Sequence, residues 1–311
     1  MHIAEQGDGP LVIMCHGFPE SWYSWRHQLS ALAQAGFHAV APDMRGYGQT
    51  DRPDSIDQYS LLHLVGDMVG LVDALGAETA VIAGHDWGAP VAWHAAQLRP
   101  DRFRGVIGLS IPFLPRGQVH PTRELPETDD AVFYQEYFQA PGIAEADLEH
   151  NVHFSVRSTL YAFSGDAIPL DAIKTGVGSI GLIPRKGGIL AGRTSPPSLP
   201  SWLTEADVDF YAEEFCRTGY RGGLNWYRNI ARNWQLLSPF DGAKVSVPAL
   251  YVVGDRDLVL AFRGMERLIS GLSNDVPKLQ SSIILPGCGH WTQQERPHDV
   301  NEAMIDFLRG L

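Results

Sequence analysis

This sequence has few of the features that mark several large classes of protein. It contains three cysteines, Cys15, Cys216 and Cys288, whose odd number and wide spacing argue against a disulfide framework or a zinc site. Its 24 basic residues are outnumbered by 36 acidic ones, and the net charge of −12 argues against nucleic acid or an anionic membrane as a partner. The 12 histidines show no metal-binding spacing such as H-E-x-x-H, so we expect neither a metal nor another cofactor.

Long apolar runs are also missing. No stretch approaches the roughly 20 apolar residues that a membrane-spanning helix needs. The first residues contain neither the charged nor the apolar region of a signal peptide. Hydrophobic residues make up 44% of the 311 residues and charged residues 19%, which is usual for a globular protein with a substantial core. The sequence therefore predicts a cytoplasmic protein, built as one large domain or as a core with an insertion.

The most informative stretch is G-H-D-W-G at residues 84–88. Residues 79–83 before it form a short, apolar, β-rich run, and residues 89–98 after it are good helix formers. A strand that turns directly into a helix, with a glycine on each side of a central residue, is typical of a nucleophile elbow. The usual pattern is G-x-S-x-G, and here Asp86 replaces the serine.

An aspartate at this position favours a particular chemistry. Its carboxyl is ionised at neutral pH because the unperturbed pKa is about 3.9. A carboxylate attacks amides poorly but can displace a leaving group from a strained or activated alkyl carbon, and the product is an ester of Asp86. Water must then hydrolyse that ester, which requires a base and an oxyanion hole. The alternative is a tight turn in which Asp86 merely caps the next helix.

Strands and helices alternate over much of the chain. We predict further strands at residues 11–15, 37–41, 105–109, 248–254 and 281–285, and further helices at residues 21–34, 61–75 and 299–308. This alternation predicts an α/β fold, with a mostly parallel sheet covered by helices on both faces.

The alternation stops between the fourth and fifth predicted strands, at residues 105–109 and 248–254. Helical patterns follow one another there, at residues 131–138, 146–162, 205–217 and 224–237, with a Gly/Pro-rich segment at residues 175–200. We interpret residues 113–239 as a mainly helical cap inserted into a core formed by residues 1–112 and 240–311. A second independent domain is the alternative, but the strands on both sides are needed to complete one sheet.

Suitable partners for Asp86 follow two of the later strands. Asp255 and Asp257 come directly after the strand that ends at Gly254, and His290 follows the last strand. The order nucleophile, acid, histidine is the one expected for an α/β-hydrolase fold. His290 is then the general base that activates water, and Asp257 fixes its tautomer and stabilises the imidazolium. Asp255 competes for the acid role, although a turn-capping function explains it more simply.

The oxyanion hole is expected to use two backbone N–H groups. One belongs to Trp87, next to the nucleophile, and the other to Phe18, in the Gly/Pro loop after the first predicted strand. No carboxylate follows the strand at residues 105–109, which removes the other common position for the acid.

Five motifs make the chain resemble the soluble epoxide hydrolases of mammals, plants and bacteria over nearly its whole length. They are H-G-F-P-E-S-W at residues 16–22, G-H-D-W-G at 84–88, Y-Q-E-Y-F-Q-A-P-G at 134–142, G-G-L-N-W-Y-R-N at 222–229 and G-C-G-H-W-T-Q at 287–293. The resemblance has two departures. Residues 2–5 look like the family's second strand, so we expect the usual first strand to be missing. We also expect no counterpart of the N-terminal phosphatase domain of the mammalian enzymes.

The resemblance implies an epoxide hydrolase that converts apolar or aryl epoxides and water into vicinal diols. It also implies that Tyr134 and Tyr227 point from the cap toward Asp86. Opening an epoxide produces an alkoxide, and a neutral phenol, with a pKa near 10, can donate a proton to it at pH 7. The alternative is that both tyrosines are core residues of the cap.

Two rival functions share this fold. A haloalkane or haloacid dehalogenase also uses an aspartate nucleophile, and Trp87 is compatible with halide binding. Phe18, however, offers no Asn or Glu side chain for the halide, Trp87 cannot pair with a substrate carboxylate, and halide release needs no acid. A catalytically silent ligand receptor is the other rival, and the intact set of Asp86, Asp257 and His290 argues against it. The sequence does not predict an oligomeric state.

Overall fold

A computed structural model of the protein describes residues 1–123, 125–175 and 180–311. Its centre is a seven-stranded sheet, and a separate pair of short strands lies between the fifth and sixth of these seven along the chain. The strands are β1 (Ile3–Gln6), β2 (Leu11–Cys15), β3 (His38–Pro42), β4 (Ala80–His85), β5 (Phe103–Leu109), β6 (Ala131–Phe133), β7 (Leu182–Pro184), β8 (Ala249–Gly254) and β9 (Leu279–Leu285).

The described helices lie between and after these strands. They are α1 (Arg26–Gln34), α2 (Leu61–Ala74), α3 (Gly88–Leu98), α4 (Tyr134–Tyr137), α5 (Ile143–Glu149), α6 (Val152–Ala162), α7 (Leu170–Thr175), α8 (Glu205–Thr218), α9 (Arg221–Arg228), α10 (Ile230–Leu236), α11 (Met265–Ser270), α12 (Leu272–Asp275), α13 (Thr292–Glu295) and α14 (Pro297–Arg309). Short 3₁₀ turns lie at Trp22–Trp25, Ile56–Tyr59, Ser238–Phe240 and Leu258–Ala261.

The large sheet has the strand order β1-β3-β2-β4-β5-β8-β9. Strand β1 is antiparallel to β3, and every other neighbouring pair is parallel. The central strands β2, β4 and β8 are buried along their whole length. Continuous apolar runs of this kind suit a parallel sheet with both faces covered, because side chains on either face must avoid water.

The two faces of the sheet can be followed along β2. Ile13 and Cys15 pack into one cluster with helices α2 and α3, while Val12 and Met14 pack into a second cluster with α1 and α14. This alternation is the period of two that a strand imposes on its side chains. The α/β-hydrolase architecture predicted from the sequence is confirmed, with strands displaced by no more than about two residues.

The prediction of a helix over residues 131–138 is wrong for its first half. Residues Ala131–Phe133 form β6, which pairs antiparallel with β7, and only Tyr134–Tyr137 are helical. The backbone of β6 forms its hydrogen bonds with β7, about fifty residues away along the chain. The local sequence pattern does not reveal such a distant partner.

Of the other three helices predicted between β5 and β8, the one at residues 205–217 is continuous as α8, and the remaining two are broken once each. The stretch 146–162 contains α5 and α6, because the Asn151 side chain accepts from the Phe154 N–H and starts a new helix. The stretch 224–237 contains α9 and α10, which separate at Asn229. The predicted irregular segment at 175–200 contains β7, and its residues 176–179 lie outside the described residues.

In the described ranges, none of the helices is both long and apolar enough to cross a membrane.

Candidate active site

Asp86 lies at the turn between β4 and α3. Its φ of 48° is in the left-handed region, which residues other than glycine seldom adopt. Helix α3 begins two residues later at Gly88, so its N-terminus points its free N–H groups and positive dipole end toward the turn. The carboxylate therefore lies in an electrostatic environment that favours negative charge.

The loop after β2 holds one oxygen of this carboxylate. The backbone N–H of Phe18 donates to Asp86 Oδ1 at 2.8 Å. Gly17 permits this approach, because a Cβ atom at this position would lie 2.4 Å from both Cβ and Oδ1 of Asp86. Of the two predicted oxyanion-hole residues, Phe18 contacts Asp86 through its N–H, and Trp87 lies at the start of α3 beside it.

His290 lies between Asp86 and Asp257. Its Nε2 is 3.4 Å from Asp86 Oδ2, and its Nδ1 is 3.0 Å from Asp257 Oδ1. An ionised carboxylate only accepts hydrogen bonds, so Nδ1 carries the proton and donates it to Asp257. The carboxylate of Asp257 also accepts from the Val259 N–H at 3.0 Å and is fully buried.

The charges of these three groups shift one another's pKa values. Burial acts to lower the pKa of His290, but the charge of Asp257 and the hydrogen bonds to Asp257 and Asp86 outweigh it and raise the pKa well above 6.5. Burial acts to raise the pKa of Asp257, but the charge and hydrogen bond of His290 outweigh it and lower the pKa. The free site thus stabilises a protonated His290 between two carboxylates.

Asp255, the alternative acid, is turned toward a different partner. Its Oδ1 accepts from the backbone N–H of Gly287 at 2.7 Å, so it fastens the turn after β9. Asp257, not Asp255, is the carboxylate that contacts His290 in this structure.

Ser110 is a residue of the site that sequence reasoning missed. It follows β5, adopts a positive φ of 68°, and places its Oγ 3.1 Å from His290 Nδ1. Ser110 is not a carboxylate, but a hydroxyl at the carboxyl end of a parallel strand, where catalytic groups gather, is itself a signal in the sequence.

A buried polar network behind the site was also missed. Glu20 accepts from the Gly17 N–H and contacts His85 Nδ1 at 2.7 Å, while His85 Nε2 lies 2.7 Å from the backbone oxygen of His290. The second oxygen of Glu20 accepts from Gln293 at 3.1 Å. These bonds join the loop after β2 to the loop that carries His290.

Tyr134 and Tyr227 face the site from the segment between β5 and β8. Their ring centres are 5.8 Å apart, and Tyr227 also packs edge-on against Trp87 at 5.1 Å. Burial raises the pKa of both phenols above 10, and the negative charge of Asp86 adds to the rise. Both groups therefore keep their protons at neutral pH and remain available as donors.

These residues share one cavity of about 470 Å³. Asp86, His290, Tyr134 and Tyr227 lie on its wall, and most of the remaining wall is apolar. The larger apolar contributors are Phe18, Ile111, Phe138, Leu148, Phe163, Ile189, Leu258 and Phe262. A mostly apolar cavity with a few convergent polar groups is the usual form of a small-molecule site.

A wider cleft of about 1000 Å³ lies elsewhere, between the core and helices α5, α9 and α10. All three of its arginines already have carboxylate partners: Arg228 with Glu145 at 2.8 Å, Arg221 with Asp54 at 3.8 Å and Arg232 with Asp57 at 3.9 Å. Asp86 is not part of this cleft, so the smaller cavity is the candidate active site. In the parts of the chain that the structure describes, no group of three or more His, Cys, Asp or Glu side chains is arranged to hold a metal ion.

Comparisons with known proteins identify the family of the chain. A family model described as the alpha/beta hydrolase fold matches residues 10–297. Epoxide hydrolase A of Mycobacterium tuberculosis is 42% identical over 314 residues, which cover 100% of this chain and 94% of that protein. Epoxide hydrolase 3 of Siraitia grosvenorii is 42% identical and is matched over 99% of this chain and 94% of its own length.

A solved structure gives the same result. An epoxide hydrolase from an endophytic Streptomyces superposes with a TM-score of 0.94 at 44% identity, covering 99% of this chain and 92% of that one. The chain therefore belongs to the α/β-hydrolase fold family and, within it, to the epoxide hydrolases. The family predicted from the five motifs is confirmed.

Proposed function

We propose that the protein converts epoxides to vicinal diols in two covalent steps, with Asp86 as the nucleophile. The observation that carries this proposal is the position of the Asp86 carboxylate. One oxygen accepts from the Phe18 N–H, the other lies 3.4 Å from His290, and two protonated phenols share its apolar cavity.

In the first step, Asp86 attacks one carbon of the epoxide. The new bond joins a carboxylate oxygen to that carbon, and the carbon–oxygen bond of the strained ring breaks. The leaving alkoxide takes a proton from Tyr134 or Tyr227, so the products are an ester of Asp86 and a tyrosinate. Both phenols lie on the cavity wall and keep their protons at neutral pH, so they can supply the proton that the alkoxide needs.

In the second step, His290 removes a proton from water, which attacks the ester carbonyl of Asp86. The resulting oxyanion is stabilised by the backbone N–H groups of Phe18 and Trp87. The ester bond breaks, the diol oxygen takes the proton from His290, and the proton of the new carboxylic acid restores the phenol. Asp257 holds the His290 ring and stabilises its positive charge.

The same geometry explains how His290 becomes a base for the second step, after the Asp86 ester has formed. In the free site the negative charge of Asp86 helps to raise the pKa of His290. Once Asp86 is esterified it is neutral, and that contribution is lost. The pKa of His290 then falls, and the neutral imidazole needed to activate water becomes more populated.

Residues 113–239 serve as the proposed cap. They carry both tyrosines and most of the apolar wall, and they include helices that pack into the same core cluster as α2 and α3. The proposed substrates are apolar or aryl epoxides together with water. A cytoplasmic location stays a prediction from the sequence.

A dehalogenase is less well supported, because release of a halide requires neither phenol. A silent receptor is less well supported as well, since His290 contacts both carboxylates within 3.4 Å.

The first experiment follows the oxygen of water. With enzyme in excess over styrene oxide in heavy-oxygen water, one turnover should place the label in Asp86, because the carboxylate's own oxygen leaves with the diol. Peptide mass spectrometry of the residues around Asp86 measures this. Asp86→Ala is the control that should neither take up label nor form diol. Label found only in the diol after a single turnover would show direct attack by water and contradict the covalent mechanism.

A further inference from the structure

His290 has a second hydrogen-bond partner beside the proposed acid. Ser110 Oγ lies 3.1 Å from His290 Nδ1, and Asp257 Oδ1 lies 3.0 Å from the same nitrogen. Ser110 follows β5 and Asp257 follows β8, so two oxygens from the ends of neighbouring strands converge on one N–H group. Ser110 and Asp257 are fully buried and His290 is 4% exposed, so water hardly competes for these bonds.

The direction of these bonds follows from the charge of Asp257. An ionised carboxylate only accepts hydrogen bonds, so Nδ1 carries the proton and the Ser110 oxygen accepts from it as well. A hydroxyl also has a proton of its own to donate. Burial acts to raise the pKa of Asp257, but the charge and hydrogen bond of His290, together with hydrogen bonds from Ser110 and Val259, outweigh it and lower the pKa. The Ser110 hydroxyl therefore contacts both members of the pair.

The backbone of Ser110 is fixed in an unusual conformation by the elements around it. Its φ of 68° is in the left-handed region, which residues with a Cβ atom seldom adopt. From β8, the Tyr251 hydroxyl donates to the Ser110 oxygen at 2.8 Å, and the Val252 oxygen accepts from the Ser110 N–H at 2.9 Å. From α3, the Trp93 indole donates to the Ile111 oxygen at 3.0 Å. Strained conformations persist only where neighbours determine them, and they cluster at functional sites.

A purely structural role for Ser110 would require none of its side-chain contacts. The hydrogen bonds that fix the turn use the backbone groups of Ser110 and Ile111. Alanine would keep all of them, and glycine would also remove the cost of the left-handed φ. The hydroxyl is therefore explained by its contacts with His290 and Asp257 and not by the turn.

The position of the His290 ring becomes less well determined when Asp86 is esterified. In the free site the ring is held from both sides, with Nε2 3.4 Å from Asp86 Oδ2 and Nδ1 bonded to Asp257. The ester carries no charge, so the attraction on the Nε2 side is lost. One acceptor at Nδ1 allows the ring to swing about a single bond, whereas two acceptors restrict that motion. A general base must stay within hydrogen-bond reach of the water that it deprotonates, so the second step depends most on the Ser110 contact.

We propose that Ser110 is a positioning residue for the second step, in which it keeps Nε2 of His290 directed at the water that attacks the Asp86 ester. This inference rests on the proposed function. Ser110 forms no bond to the substrate and keeps its own proton throughout. Its oxygen also faces the imidazolium that forms when His290 takes a proton from water, and it helps to stabilise that charge. The first step needs no base, so formation of the ester does not depend on Ser110.

Separate measurement of the two steps tests this role. With enzyme in excess over styrene oxide, rapid-quench mass spectrometry follows the formation and the decay of the Asp86 ester. In Ser110→Ala, formation should stay within about twofold of the rate in the unchanged protein, while decay slows about tenfold, the rate equivalent of one hydrogen bond. In the steady state kcat and KM should fall together, because the ester accumulates.

Two further variants separate the hydroxyl from the turn that carries it. Ser110→Gly also lacks the hydroxyl but relieves the backbone strain, so its ester should decay as slowly as that of Ser110→Ala. Ser24→Ala is the matched control, because Ser24 is equally buried and its Oγ donates to the Ser21 backbone oxygen at 3.0 Å. Neither Ser24 nor Ser21 is among the described residues that line the cavity, so both steps should keep their rates in this control.

Three results would overturn the role of Ser110. Ester decay at the unchanged rate in Ser110→Ala would show that the hydroxyl is not needed. Equal slowing of formation and decay would show general damage to the site, and a normal decay rate in Ser110→Gly would show that the turn, not the hydroxyl, is responsible. If the quench traps no Asp86 ester in any of these proteins, the proposed function itself is wrong. An ester that forms and decays alike in the unchanged protein and in Ser110→Ala would contradict this inference alone.

Discussion

Asp86 combines a strained backbone conformation with a carboxylate that contacts two other groups of the site. Its left-handed φ costs on the order of 1 kcal/mol or more for a residue with a Cβ atom. In exchange the turn projects the carboxylate out of the end of β4, where the Phe18 N–H and His290 can both reach it. A strained residue held by packed neighbours on both sides is typical of a preorganised site.

Tyr134 and Tyr227 lead to a prediction at the same scale. Changing either to Phe keeps the ring volume, so stability should hardly change, but it removes one of the two proposed proton donors for the leaving alkoxide. We expect each change to slow formation of the Asp86 ester about a hundredfold, and both together to slow it further. Rapid-quench mass spectrometry of the protein in a single turnover measures this rate. An activated alkyl halide, which needs no proton, should be affected much less.

Tyr220→Phe provides the control for this prediction. Tyr220 is buried and lines the same cavity, yet its hydroxyl has no hydrogen-bond partner among the described residues and its ring stacks on Phe215 at 4.3 Å. Its loss should leave ester formation nearly unchanged. If the double variant of Tyr134 and Tyr227 folds and still opens epoxides at a near-native rate, the two tyrosines are core residues and a dehalogenase gains support.

The sequence was most informative about residues that belong to motifs. Asp86, Asp257 and His290 could be predicted because each follows a strand in a fixed order, and the structure brings them together. Ser110 belongs to none of these motifs. Its position at the carboxyl end of a strand is visible in the sequence, but its contact with His290 depends on β5 lying between β4 and β8 in the sheet.

Among the elements, the contact between β2 and α3 depends on glycine. A Cβ atom on Gly88 would lie 2.1 Å from the backbone oxygen of Cys15, and backbone atoms inside a sheet cannot move aside. We predict that Gly88→Ala destabilises the protein by at least about 2 kcal/mol. It should also lower turnover, because the displaced end of β2 leads into the loop that carries the Phe18 N–H. Urea unfolding and steady-state assays measure the two effects.

Gly70→Ala is the matched control for Gly88→Ala. Gly70 lies on the exposed side of helix α2, and a Cβ atom there would have no neighbour within 4 Å. Alanine inside a helix should stabilise it by roughly 0.5–1 kcal/mol. Equal changes in the free energy of unfolding in the two variants would show that the space at Gly88 can accept a Cβ atom.

Helices and strands that depend on neighbouring residues were predicted better than those that depend on distant partners. Strand β2 is bounded as predicted, because a run of apolar residues ends at a Gly/Pro loop. Strand β6 was mistaken for part of a helix, since its partner β7 lies far along the chain. The breaks at Asn151 and Asn229 were not predicted, because the helical pattern of the sequence continues on both sides of each.

At the scale of the whole molecule, the proposed cap and the core are joined by specific polar contacts. Arg26 in α1 lies 3.3 Å from Asp207 in α8, and the Trp226 indole donates to the backbone oxygen of Arg45 at 3.0 Å. The same core cluster continues from α2 into α6 and α8. The alternating pattern predicted the sheet and the insertion, but the contacts that close one on the other are set by side chains far apart in the sequence.

Global stability should depend on pH through a histidine outside the site. His94 in α3 is buried, its Nδ1–H donates to the Pro90 oxygen at 2.8 Å, and its ring packs near Phe113. Burial lowers its pKa to about 4, against about 6.5 in the unfolded chain. Below pH 6.5 the unfolded state therefore binds a proton at His94, whereas the folded state binds it only below about pH 4. The contribution of His94 to the free energy of unfolding is complete above pH 6.5 and is lost as the pH falls through this window.

We therefore predict that His94→Gln loses less stability on acidification than the unchanged protein does. Between about pH 8 and pH 5, His94 should account for a loss of about 2 kcal/mol, which the variant lacks. Urea unfolding at both pH values gives the four free energies, and the difference of differences isolates His94. The raised pKa of His290 acts in the opposite direction, since its stabilisation is present at low pH and lost as the pH rises through its folded value, but it is common to both proteins and cancels. Parallel stability curves for the two proteins would show that the buried imidazole already accepts its proton in the folded state.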